Sequence, residues 1–161
     1  MYDDKTTRTI VHFRRLLLFS GAFNIVLAAP LIPPSVYEWY LEFLWKVNSL
    51  LGLGGVRPLP LTEGIYALFV NTAGIDLVLI GAIVLYSAFD PVKRIAIPAL
   101  NAGGRTLFAG IVVYYCVSRD VMGLILVIGI IDVLISCGFM YFIVKLKWGR
   151  LPIGVNLDRA D

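Results

Sequence analysis

The sequence predicts an all-α integral membrane protein, an antiparallel four-helix bundle with an additional exterior amphipathic helix lying in the interface between spans one and two. Three observations carry that prediction. The chain of 161 residues is 59% hydrophobic and 16% charged, with a mean hydropathy of +0.85, more apolar surface than a soluble fold of this size can hide. Its apolar residues gather into four stretches of about 20 residues, the length that crosses a bilayer core as a helix. Its Lys and Arg residues sort to one side of those stretches. Residues 1–161 are read as a single membrane domain.

Span one runs from about Phe13 to Ile32. Arg14-Arg15 resembles the basic start of a signal peptide, but Pro30-Leu31-Ile32-Pro33-Pro34 closes the run without a small-residue cleavage site, so the helix is read as retained. A helix over about 35–51 should follow. Ser35-Val36-Tyr37-Glu38 has the form of a capping box, which satisfies two free backbone N–H groups. Val36, Tyr40, Phe43, Leu44, Val47, Leu50 and Leu51 then recur at helical spacing, opposite Glu38, Glu42, Lys46 and Ser49. Glu42 and Lys46 form an i,i+4 pair in the favourable order. Tyr37, Trp39, Tyr40 and Trp45 are the expected interfacial anchors. Gly52-Leu53-Gly54-Gly55 ends this helix, and Pro58-Leu59-Pro60 leads into the next span.

Span two covers about Ile65 to Phe89 and stops at Asp90-Pro91-Val92. Span three covers about Ile95 to Val117, and Ser118-Arg119-Asp120 is so short a link that span four, about Val121 to Val144, must run back beside it. Lys5, Arg8, Arg14, Arg15, Lys93, Arg94, Lys145, Lys147, Arg150 and Arg159 fall on one side, and only Lys46, Arg57 and Arg119 on the other. By the positive-inside rule the first side is cytoplasmic, so both termini are cytoplasmic and the protein is a multi-pass membrane protein. The net charge of +3 is a topology signal and not the footprint of a nucleic-acid partner.

Polar side chains inside a span are costly, so each needs a reason. Asn24, Asp76, Arg105 and Asp132 all fall near the middle of their spans, which sets them at similar depth. In a compact bundle Arg105 can face both aspartates, and a buried Asp76–Arg105–Asp132 cluster is expected. Asn101 lies one turn before Arg105 and Ser136 one turn after Asp132, with Asn24 and Asn71 contributed by spans one and two. Two carboxylates and one guanidinium sum to −1, which suggests a shared proton. The cluster either fixes helix register or handles a proton or a polar head group. The small residues Ala102, Gly103, Gly104 and Gly110 are expected to let helices approach closely.

No nucleophile–base pair is apparent, so no catalytic residue is assigned. Cys116 and Cys137 are not spaced as metal ligands, and the single histidine, His12, precedes span one, so no metal site is expected. Gly74-Ile75-Asp76-Leu77 and Ile130-Ile131-Asp132-Val133 echo each other at mid-span and suggest two duplicated hairpins.

Three strings carry a resemblance: Ala88-Phe89-Asp90-Pro91-Val92-Lys93-Arg94, Asn101-Ala102-Gly103-Gly104-Arg105 and Gly129-Ile130-Ile131-Asp132. Over spans two to four the chain resembles small four-helix bacterial inner-membrane proteins of the DoxX-like kind. The resemblance implies a subunit of a membrane oxidoreductase complex acting on quinones. From the residues, the first expectation is a non-catalytic accessory or structural subunit of a larger membrane complex or a homo-oligomer. The alternative is a proton-linked small-solute, quinone or lipid binding or transport protein. No cofactor is evident, with a quinone or lipid left open.

Overall fold

The structure, a computed structural model, describes residues 4–59, 63–118 and 121–148. Among them every regular element is helical: α1 (Asp4–Ala28), continued by a 3-10 turn (Ala29–Leu31), then α2 (Pro34–Leu50), α3 (Gly64–Ser87), α4 (Ala96–Ser118) and α5 (Gly123–Trp148). Four segments are long and apolar enough to cross a membrane: Thr6–Leu31, Gly64–Ser87, Ala96–Ser118 and Gly123–Lys147. The chain is a multi-pass membrane protein. Pro60, Arg119, Asp120, Arg150 and Arg159, used above for loops and charge, lie outside the described residues, as does the side chain of Lys5.

The helices associate in two pairs. α1 lies along α3 and α4 along α5; α1 also touches α5, whereas α3 meets α4 only sparingly. The α1–α5 contact holds the apolar core, where Phe13 and Leu17 meet Ile135, Phe139 and Ile143 together with Val84, Ala88 and Ala102. The Phe13 ring stands edge-on to Phe139 at 6.1 Å and stacks on Phe142 at 5.5 Å.

Close approach of α1 and α3 rests on Gly21 and Gly81. A Cβ on Gly21 would stand 2.7 Å from the Gly81 carbonyl oxygen, and one on Gly81 would stand 2.9 Å from that of Gly21. Small residues of this kind let helix backbones touch where lipid offers no hydrophobic drive for association. Gly103, Gly104 and Gly110 of α4, expected to serve that purpose, have nothing within 4 Å of an added Cβ. No helix backbone comes close to any of the three, and Gly104 borders open space between the helices.

α2 begins at Pro34, with Pro33 as its N-cap residue and no side-chain cap bond. Pro34 takes the first helical position, where its missing N–H costs nothing, which pushes Ser35 inside the first turn and leaves no capping box. The buried face of α2 carries Tyr37, Tyr40 and Asn48, while Leu50 and Leu51 of the expected apolar stripe are exposed. Of the four aromatic anchors, Trp39 is exposed and stacks on Phe43 at 5.8 Å, and Trp45 is half-buried. Tyr37 and Tyr40 turn inward. Glu42 pairs at 2.6 Å with Arg57 of the following loop, not with Lys46.

Asn48 fastens that loop to α5. Its Nδ2 donates to the Gly54 carbonyl at 2.9 Å, and its Oδ1 accepts the Leu124 N–H at 2.8 Å. The Gly123 N–H donates to Gly54 O at 3.2 Å. The first turn of α5 is thereby capped from across the protein, which satisfies donors that a helix N-terminus leaves free. Asn48→Leu should cost about 1–3 kcal/mol by stranding the buried Leu124 N–H. Thermal unfolding in detergent should show the loss, and hydrogen exchange should place it at the first turn of α5; an unchanged melting curve would contradict the assignment.

The α3–α4 turn is held by its own charges. Asp90 Oδ1 accepts the Lys93 backbone N–H at 3.1 Å, and this bond, with the nearby Lys93 and Arg94 charges, holds the carboxyl below its ordinary range. Arg94 lies over the Tyr86 ring, 3.7 Å from its centre, and donates to the Tyr86 carbonyl at 2.8 Å.

Candidate functional site

Arg105 sits on the inward face of α4 and is 5% exposed. Its side chain is bonded from three helices. Nη1 pairs with Asp132 of α5. Nε donates to Asn101 Oδ1, one turn earlier on α4, at 2.9 Å. Nη2 reaches α1, donating to Asn24 Oδ1 at 2.6 Å and Ser20 Oγ at 3.0 Å, with the Ser20 carbonyl at 3.3 Å. A guanidinium is a planar fork of five donors, and the three helices supply acceptors around it. Ionic pairing and hydrogen bonding together make a buried charge tolerable in a span.

Asp76 is not among these partners. Gly74, Gly81 and Val84 form the buried stripe of α3, and Asp76, two residues past Gly74, lies roughly 200° round the helix from it. The carboxylate is therefore on the exposed side of α3. This corrects the expected three-member cluster to a single ion pair with a formal sum of zero, so the excess negative charge that suggested a shared proton is not present there. Asn71 lies elsewhere as well, its Nδ2 donating to the Leu31 carbonyl at 2.7 Å and so tying α3 to the end of α1. Ser136 is buried beside the pair but donates to backbone, to Asp132 O at 2.9 Å and to Ala102 O at 3.2 Å across the α4–α5 contact.

Ser20 is a site residue that sequence reasoning missed. It is fully buried, and a serine in an apolar span passes for a small packing residue. Its spacing from Asn24, one helical turn on the same face of α1, was the available signal.

The Arg105 network forms the floor of a cavity of about 580 Å³, inside the size range of sites for small organic ligands. Asn24, Asn101, Arg105 and Asp132 line it together with apolar side chains of all five helices, and Tyr40 and Leu44 of α2 close one end. Tyr40 is fixed there by donating from its hydroxyl to the Leu27 carbonyl at 2.9 Å, and burial pushes its phenol pKa up. The wall residues Ile80 and Ile83 of α3 and Leu100 and Phe108 of α4 are also exposed on the outer surface. The cavity thus opens sideways between α3 and α4, which meet only sparingly.

The chemistry of the floor follows from its bonding. Asn24 and Asn101 must each turn Oδ1 toward the guanidinium, which has only donors to offer. Their Nδ2 amino groups make no hydrogen bond among the described residues, and both side chains line the cavity. The floor therefore offers amide donors, and the Arg105 charge is already matched by Asp132. Such a surface favours a neutral acceptor, such as a carbonyl oxygen, over an anion. Among the described residues no group of His, Cys, Asp and Glu is placed to hold a metal ion. No protein-family model, curated protein or solved structure matches this chain.

Proposed function

We propose that this membrane protein binds a neutral amphiphile, quinone-like or lipid-like, in the cavity between α1, α3 and α4. The observation that carries the reading is the pairing of an apolar, laterally open cavity with a floor whose free groups are the Asn24 and Asn101 amides. A head group with one or two carbonyl oxygens would bond to those amides, and its apolar body would lie against Ile80, Leu100 and Phe108. The ligand would enter from the bilayer. The resemblance to DoxX-like proteins, some of them linked to quinone-using complexes, agrees with this class.

The asymmetry of Lys and Arg supports an antiparallel bundle with cytoplasmic termini, and the DoxX-like resemblance points to an inner membrane. In that orientation α2 lies at the exterior interface, with Trp39 outward and Tyr40 closing the cavity. A second reading, an accessory subunit of a larger membrane complex, is favoured by one observation, the mid-span carboxylate of Asp76 on the exposed side of α3.

Gly104→Phe tests the binding reading. Gly104 lines the cavity and an added Cβ there meets nothing within 4 Å, so the ring can fill the space without displacing a helix. Native mass spectrometry of gently extracted protein should find a small apolar molecule retained by the wild type and at least tenfold less of it on Gly104→Phe at the same melting temperature. Equal retention by both would refute the assignment.

A further inference from the structure

We infer that the outer face of α3 around Asp76 docks a membrane-spanning helix of a different protein, one that carries a Lys or Arg at mid-depth. The inference rests on the accessory-subunit reading and names what the partner must bring. α3 is among the most apolar of the four spans, with a mean hydropathy of 2.2, and Asp76 stands near its midpoint. Phe69 and Leu79 beside it are exposed and apolar, as are the outer sides of the cavity-wall residues Ile80 and Ile83, and Thr72, one turn earlier on the same face, is exposed too. A carboxylate in this setting is left facing hydrocarbon unless another chain covers it, and intramembrane charges pair with one another where they persist.

Charge complementarity decides the occupant. A carboxylate at mid-span calls for a cation at the same depth. Among the described residues the only basic side chain at that depth is Arg105, which is buried and engaged by Asp132, Asn101, Asn24 and Ser20. The other described Lys and Arg residues lie toward the helix ends or outside the spans. A second copy would therefore bring only another Asp76 to the contact. The partner must be a different chain, whose apolar span holds a basic residue and whose flat side fits Thr72 and Asp76.

The test places a photo-crosslinking amino acid at Thr72, and separately at Leu79, in the full-length protein in its own membrane, and sequences the crosslinked peptides. The expected product is a foreign apolar span with a Lys or Arg within one helical turn of the crosslink. Asp76→Asn should cut its yield at least tenfold while leaving the melting temperature in detergent unchanged, because the side chain is exposed and makes no hydrogen bond or ion pair among the described residues. Asp76→Lys should abolish the crosslink, and changing the partner's basic residue to Asp should restore it. A foreign span without a basic residue, or a yield indifferent to Asp76→Asn, overturns this proposal while leaving the accessory reading standing. Crosslinks to lipid or to a second copy alone overturn both.

Discussion

Asp132→Asn, with Arg105 left in place, will destabilise the protein by about 3–5 kcal/mol, the usual consequence of stranding one member of a buried ion pair. Asp132 and Arg105 are both buried, and the bonds from Asn24, Asn101 and Ser20 orient the guanidinium without neutralising it. Replacing both members by apolar residues of similar volume, Arg105→Met with Asp132→Leu, should recover more than half of the loss, because no charge is then left uncompensated. The paired variant should still lose retained ligand, since Asn24 and Asn101 are no longer held with their amino groups toward the cavity. Thermal unfolding of the purified variants, followed by native mass spectrometry of those that fold, separates the two effects. A single substitution that costs no more than an exposed one would show that the pair contributes little to the fold.

Gly81→Ala should cost about 1–3 kcal/mol, and Gly81→Val more, by overpacking the α1–α3 contact. The added Cβ would stand 2.8 Å from Ile25 Cγ1 and 2.9 Å from the Gly21 carbonyl oxygen. Half of that clash is backbone, which cannot rotate away. Gly103→Ala and Gly110→Ala are the matching controls, because nothing lies within 4 Å of a Cβ at either position. They should be neutral or stabilising by up to about 1 kcal/mol through helix propensity alone. Melting temperatures of the four variants decide the matter, and a Gly81→Ala protein as stable as Gly103→Ala would remove α1–α3 backbone contact from the account.

These two results bear on what the sequence could reveal. Hydropathy gave the four spans and set Arg105, Asp132 and Asn24 at one depth, because depth is encoded by position along an apolar run. Direction around the helix is not encoded in that way. α3 is apolar on every side, so its lipid face and its buried face read alike, and Asp76 could not be told from a core residue until Gly74, Gly81 and Val84 identified the side toward α1. The same ambiguity assigned close packing to the glycines of α4 when it belongs to Gly21 and Gly81. On α4 and α5 the i,i+4 pairs Asn101–Arg105 and Asp132–Ser136 were legible, since a polar pair one turn apart marks a face. Asn48 was hidden for another reason: its partners, Gly54 and Leu124, are supplied by a loop and by a helix distant in sequence.

Photolabelling with a neutral long-chain ester bearing a diazirine partway along its alkyl chain, added to the protein in lipid bilayers, locates the apolar body of the bound molecule. Labelled peptides are then mapped. The account predicts labels concentrated on Leu77, Ile80, Leu100 and Phe108, reduced at least tenfold in Gly104→Phe. Labels spread evenly over the exposed faces of α3, α4 and α5, and unchanged by Gly104→Phe, would contradict it.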